Sequence, residues 1–128
     1  RGSTIAHIAR AALESTAFQT AELLEAMAKD GVAPQRLRVD GGMTRNDWFL
    51  QFMADVLGVE VVRPKNVGAT LLGGAILAAL GSGEFGSLEE VASLWKLDRK
   101  FEPIMKGEER ASRLAGWKEA VGRVLTKS

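Results

Sequence analysis

The chain has no cysteine, one histidine, almost no net charge and no apolar run long enough to span a bilayer, and each shortage removes a class of function. Without cysteine there is no disulfide, no thiolate metal site and no thiol nucleophile, a composition that suits a cytoplasmic protein. His7 is the sole histidine and has no partner at metal-ligand spacing, so neither a zinc site nor a Ser-His-Asp triad can be assembled. It reads as a helix-surface or packing residue. Seventeen Lys and Arg stand against sixteen Asp and Glu, and the resulting +1 gives no bulk attraction for nucleic acid or an anionic membrane. Any negative ligand must be held locally. Leu, Val, Ile and Ala fall in periodic segments, and neither a membrane helix nor a secretory leader pattern is present.

What the chain has is 128 residues of ordinary globular composition, 46% hydrophobic and 26% charged, enough for one domain with its own core. The most informative stretch is Arg38-Val39-Asp40-Gly41-Gly42-Met43-Thr44-Arg45-Asn46-Asp47. Leu37 and Val39 alternate as a strand face does, and Gly41 and Gly42 let the backbone turn tightly and approach a ligand with no side chain between. Thr44 and Asp47 have the spacing of a capping box, and free amides at a helix start favour an anion such as a nucleotide phosphate. Asn46, four positions after the second glycine, falls in the first helical turn, where its amide group faces a ligand over the helix start. The plain alternative is an ordinary strand-to-helix turn in which Asn46 only caps the helix.

Periodicity predicts a long, largely buried helix over residues 3–30 stopped by Gly31, a strand over 36–40 and a helix over 46–57 ended by Gly58. A second strand follows over 59–62, closed by Arg63-Pro64; strand, helix, strand at this spacing requires a parallel crossover. The helix over 69–80 carries Gly73-Gly74, whose cost predicts close approach to the sheet or to the glycine turn. Ser87 starts a short helix, residues 97–107 read as irregular, and a last helix over 108–125 docks through Leu114, Trp117, Val121 and Val124. Trp48, Trp95 and Trp117 read as core residues rather than a stacking platform. Lys118, Arg123 and Lys127 complement the last helix's dipole. Asp40 is a candidate metal-bound or catalytic carboxylate at a strand end, and more readily an acceptor for the amides of the following turn.

Four stretches together resemble the C-terminal end of glycerol kinases, in the sugar-kinase family whose fold is shared with actin and hexokinase: Ser3-Thr4-Ile5-Ala6-His7-Ile8-Ala9-Arg10-Ala11-Ala12-Leu13-Glu14-Ser15, Leu37-Arg38-Val39-Asp40-Gly41-Gly42, Gln51-Phe52-Met53-Ala54-Asp55-Val56-Leu57-Gly58 and Ala115-Gly116-Trp117-Lys118-Glu119-Ala120-Val121. The resemblance implies an α/β fold, the C-terminal part of an actin-like ATPase (ribonuclease H-like) domain with two parallel strands and several packed helices, residues 1–128 forming its nucleotide side. It places nucleotide contacts at Gly42 and Asn46, with Gly41 in the same turn. It implies ATP and Mg2+ as cofactors of the full-length enzyme, ATP or ADP on this chain, and glycerol or a similar polyol held by a larger N-terminal portion together with the catalytic aspartate. No catalytic residue or metal ligand is assigned here, and the chain alone is expected to be inactive.

Two stretches depart from the family's pattern: Thr70-Leu71-Leu72-Gly73-Gly74-Ala75-Ile76, and Arg45 with Asp47-Trp48. They leave room for another polyol or sugar as substrate. A free-standing, non-catalytic nucleotide-binding or assembly module is the reading from a different class. The family's strand order leaves one edge of the first strand open in this chain, and an open apolar edge predicts a homodimer or larger assembly.

Overall fold

The computed structural model describes residues 2–66 and 68–125. In chain order the elements are α1 (Ile5–Lys29), β1 (Arg36–Arg38), a 3-10 turn (Gly42–Arg45), α2 (Asp47–Leu57), β2 (Glu60–Pro64), α3 (Ala69–Ser82), α4 (Leu88–Ala92), β3 (Leu97–Phe101) and α5 (Gly107–Val124). No helix among the described residues is long and apolar enough to cross a membrane.

Helix α2 is the centre of the core, and its sequence explains why. It is apolar on nearly every face, and eight of its eleven residues, from Phe49 to Leu57, are buried. Asn46 caps its start, and Gly58, in the left-handed conformation at φ 69°, ends it with an N–H donated to the Ala54 carbonyl. Arg110 of α5 then donates Nε to Val56 O at 2.7 Å and Nη2 to Leu57 O at 2.9 Å, satisfying terminal carbonyls that the helix leaves open. Phe18 of α1 meets Phe52 edge-on at 5.7 Å and stacks on Trp117 of α5 at 5.3 Å, so three helices share one aromatic cluster. Val61 and Val62 of β2 are fully buried on the sheet side. Each such side chain contributes about 1.5–3 kcal/mol by leaving water.

The predicted parallel pair is present, with Leu37 opposite Val61. The sheet has a third strand where the sequence predicts irregular chain: β3 runs antiparallel to β2, Val61 opposite Phe101, giving the order β1-β2-β3. Only Phe101 of β3 is buried, and the preceding Leu97-Asp98-Arg99-Lys100 is exposed. A charged edge strand shows no apolar alternation, so periodicity passes over it. Buried Asp55 fastens the chain beyond β3 by accepting from Ile104 N at 2.7 Å and Met105 N at 3.1 Å.

Several expectations of burial fail for one reason: spacing identifies an apolar face without supplying a surface to cover it. In α1 only Ala17 and Phe18 are buried, and Ile5 is 85% exposed. No described residue of α3 is buried, and a Cβ built at Gly73 or Gly74 meets nothing within 4 Å, so these glycines approach neither sheet nor turn. Trp48 and Trp95 are exposed, lying under the guanidinium groups of Arg10 and Arg38 respectively, and Val124 does not dock. Lys118 pairs with Glu25 of α1 at 3.0 Å and Arg123 with Glu119 at 2.5 Å, while Lys127 lies outside the described residues. His7 is a surface residue at the start of α1, its Nδ1 accepting from Thr4 N at 3.0 Å.

Candidate functional site

Ligands of parallel α/β sheets gather beyond the carboxyl ends of the strands. Here those ends are the loop from β1 to α2, which carries the glycine turn, and the loop from β2 to α3. Val39 N donates to Val62 O at 3.1 Å, extending the parallel pairing one residue past β1 before the chain turns.

Gly41 has φ 100°, a conformation that L side chains rarely adopt, so this position requires glycine on backbone grounds. Gly42 does not have a positive φ, and a Cβ built on it meets nothing within 4 Å. Nothing in the packing of the described residues therefore demands glycine at 42. The turn then winds as 3-10 helix. Thr44 closes it by donating both its N–H, at 3.1 Å, and its hydroxyl, at 2.6 Å, to the Gly41 carbonyl.

The capping arrangement differs from the expected one. Thr44 is spent on Gly41 and forms no capping box with Asp47. Asn46 is the cap of α2, its Oδ1 accepting from Phe49 N at 3.1 Å. The capping role weighed for Asn46 is thus real, and its Nδ2 donates to no described residue. The Asp40 Oδ1 accepts from Gly68 N at 2.8 Å, tying the loop after β1 to the loop after β2.

Beside the turn lies a cleft of about 490 Å³ lined by Arg45, Lys65, Asn66, Gly68, Leu71 and Leu72. A neighbouring cavity of about 480 Å³ shares Lys65, Asn66 and Leu72 with it and adds an apolar wall that includes Val39, Ile76, Leu94 and Trp95. Two exposed cations, Arg45 and Lys65, thus flank an opening whose far side is apolar. A further groove of about 400 Å³ between α1 and α5 reaches Ala33, Pro34 and Gln35, at the amino end of the sheet and away from the strand ends where ligands collect. Sequence reasoning singled out Gly41, Gly42 and Asn46 and gave no role to Lys65 or Arg63. Arg63 is half-buried beside the turn; desolvation pulls its pKa down, but hydrogen bonds and charge from Asp98 and Asp47 outweigh this and raise it above the ordinary guanidinium value.

Among the described residues no group of three or more His, Cys, Asp or Glu side chains could hold a metal ion. Magnesium is commonly held by nucleotide phosphates with only one or two carboxylates, and the donors here do not make a site of their own.

The fold is that of the C-terminal part of sugar kinases with the actin-like ATPase architecture. The model of the FGGY family of carbohydrate kinases, C-terminal domain, matches residues 1–82, and the chain belongs to that family. It is 55% identical over 124 residues to a glycerol kinase of Deinococcus radiodurans, covering 96% of this chain and 25% of that protein. It is 52% identical over 130 residues to a glycerol kinase of Methylibium petroleiphilum, covering 98% and 26%. Among solved structures, a Plasmodium falciparum glycerol kinase with ADP superimposes with TM-score 0.79 at 36% identity, over all of this chain and 27% of that one. A xylulose kinase from Rhodospirillum rubrum gives 0.74 at 28% identity, over 96% and 25%. The chain therefore spans about a quarter of the length of the relatives it matches.

Proposed function

We propose that this chain is the nucleotide-side, C-terminal part of an enzyme that transfers the γ-phosphoryl group of ATP to glycerol, giving glycerol 3-phosphate. The observation that carries the reading is the glycine turn at the carboxyl end of a parallel strand, in a chain whose relatives are named glycerol kinases. Gly42 supports it further. Its bare Cα faces open space although neither backbone nor packing requires glycine, which fits a ligand approaching within contact distance.

In this reading Gly41 shapes the turn, Gly42 clears room for the nucleotide, and the Asn46 Nδ2 group donates to it while Oδ1 keeps the helix capped. Arg45 and Lys65 attract the phosphates. Positioning phosphates is one part of phosphoryl transfer; the base for the attacking hydroxyl, the polyol pocket and the carboxylate that completes magnesium binding belong to the remaining length of the enzyme. Mg2+ bound with the nucleotide would supply charge neutralisation on the transferring group, with no ligand assigned to it from this chain. A second copy of the chain is the proposed protein partner, through the open edge of β1.

The test is coupled ADP release by the full-length protein with glycerol, other polyols and xylulose in parallel. Turnover with glycerol at a kcat/KM well above the others supports the reading. Preference for another acceptor moves the substrate within the family, and nucleotide binding without any turnover overturns the kinase assignment in favour of a binding module. The 128-residue chain alone is expected to give no ADP release above background.

A further inference from the structure

A side chain of the sheet reaches into the glycine turn. Arg63, on β2, is only 13% exposed at its side chain. Its Nη1 donates to the Thr44 carbonyl at 2.7 Å and to Asp47 Oδ1 at 2.8 Å, and its Nε donates to Asp98 Oδ2 on β3 at 2.7 Å. Asp47 is shared, its other oxygen accepting from Arg99 Nη1 at 2.5 Å.

Thr44 and Asp47 bracket Arg45 and Asn46. The Thr44 carbonyl lies at the end of a short 3-10 turn, where carbonyls lack partners within the helix, and Arg63 supplies the donor. Asp47 is the first residue of α2. One rigid guanidinium fork thus holds the Thr44 carbonyl and the Asp47 carboxylate on either side of Asn46 and ties them to two strands, a geometry that a lysine's single ammonium cannot reproduce.

We infer that Arg63 is a positioning residue for nucleotide binding, acting on the ligand only through the turn it holds. The inference rests on reading that turn as the nucleotide contact. Its loss leaves Asn46 capped but lets the 3-10 segment shift, so it weakens nucleotide binding and leaves polyol binding alone.

The test compares Kd for ATP and for glycerol in the full-length protein and its Arg63→Gln and Arg63→Lys variants. Arg36→Gln is the control: it removes a cross-strand ion pair with Glu60 in the same sheet without touching the turn. Arg63→Gln is expected to raise the ATP Kd about tenfold, the size of one lost charge-assisted hydrogen bond, with the glycerol Kd within about twofold. Arg63→Lys, the variant that keeps the charge should the glutamine protein fail to fold, is expected to show most of the same loss. Arg36→Gln should leave both constants unchanged. Equal loss of ATP and glycerol binding, or equal ATP loss in Arg36→Gln, would make Arg63 a general support of the sheet and overturn the inference. Wild-type ATP affinity in both Arg63 variants would overturn it while leaving the nucleotide reading intact. Failure of the unsubstituted protein to bind ATP would instead overturn the nucleotide reading itself.

Discussion

The Asp40 carboxylate accepts a hydrogen bond from the backbone N–H of Gly68 at 2.8 Å, joining two loops that are 28 residues apart in sequence. Because the bond is exposed, water replaces it when it is broken. Losing this bond in Asp40→Ala should therefore contribute less than about 1 kcal/mol to any loss of stability while loosening the loop before α3. Hydrogen exchange at the Gly68 amide is the sensitive readout: faster in Asp40→Ala, and near the wild-type rate in Asp40→Asn, which keeps an acceptor oxygen. Unchanged exchange in the alanine variant would show that the bond does not order the loop.

Asn46 has two separable jobs. Asn46→Asp keeps an acceptor for Phe49 N and adds a negative charge at a helix start, so the melting temperature should hold or rise slightly. It removes the Nδ2 donor and places a charge beside the proposed phosphate position, so ATP binding should weaken sharply. Asn46→Ala should lose about 1 kcal/mol through the missing cap, with a milder effect on ATP. An aspartate variant with wild-type ATP affinity would confine Asn46 to capping.

Glu60 predicts how the sheet responds to acid. Partial burial pushes its carboxyl upward, but Arg36 on β1 and Lys100 on β3 outweigh this and leave it below the ordinary value. A lowered folded-state pKa gives stability that is present above the unfolded-state pKa and is lost as pH falls through the folded-state value. Melting temperature should thus decline as pH is taken from about 6 toward 3, and Glu60→Gln should flatten part of that decline. Parallel curves for the two proteins would show that Glu60 contributes no linkage.

β1 is an edge strand of the sheet, and the apolar side chains of Ile5 and Ile8 in α1 are exposed. The 128-residue chain is expected to self-associate through this edge. Arg36 and Arg38 of two copies would then approach one another, so association should strengthen with salt as their repulsion is screened. Light scattering coupled to size exclusion checks this at low and high salt. A clean 13.8 kDa monomer at both contradicts the pairing.

Elements whose causes lie within a few neighbouring residues were legible in the sequence. The turn at Gly41, the stop at Gly58 and the Ser87 cap, which accepts from Glu90 N at 3.2 Å, are of this kind, as is the parallel pair around α2. Features joining distant positions were not. The Asp40 bond to Gly68, the Arg63 contacts with Thr44, Asp47 and Asp98, and the pairing that makes Leu97–Phe101 a strand all depend on what the fold brings together. The exposed apolar faces of α1 and α3 show the same limit from the other side: their spacing is correct for burial, and the covering surface is not encoded in that spacing.

The claim that the glycine turn is a nucleotide contact is tested most directly at Gly42, where a side chain should harm the ligand and not the fold. Titration of ATP and glycerol into full-length wild-type and Gly42→Val proteins gives the answer, with melting temperature measured alongside. Gly42 lacks a positive φ and its Cβ position is open, so the variant should melt near the wild type; its glycerol Kd should be unchanged and its ATP Kd raised by about tenfold or more, as filling a contact surface demands. A folded Gly42→Val protein that binds ATP as tightly as the wild type would contradict the account.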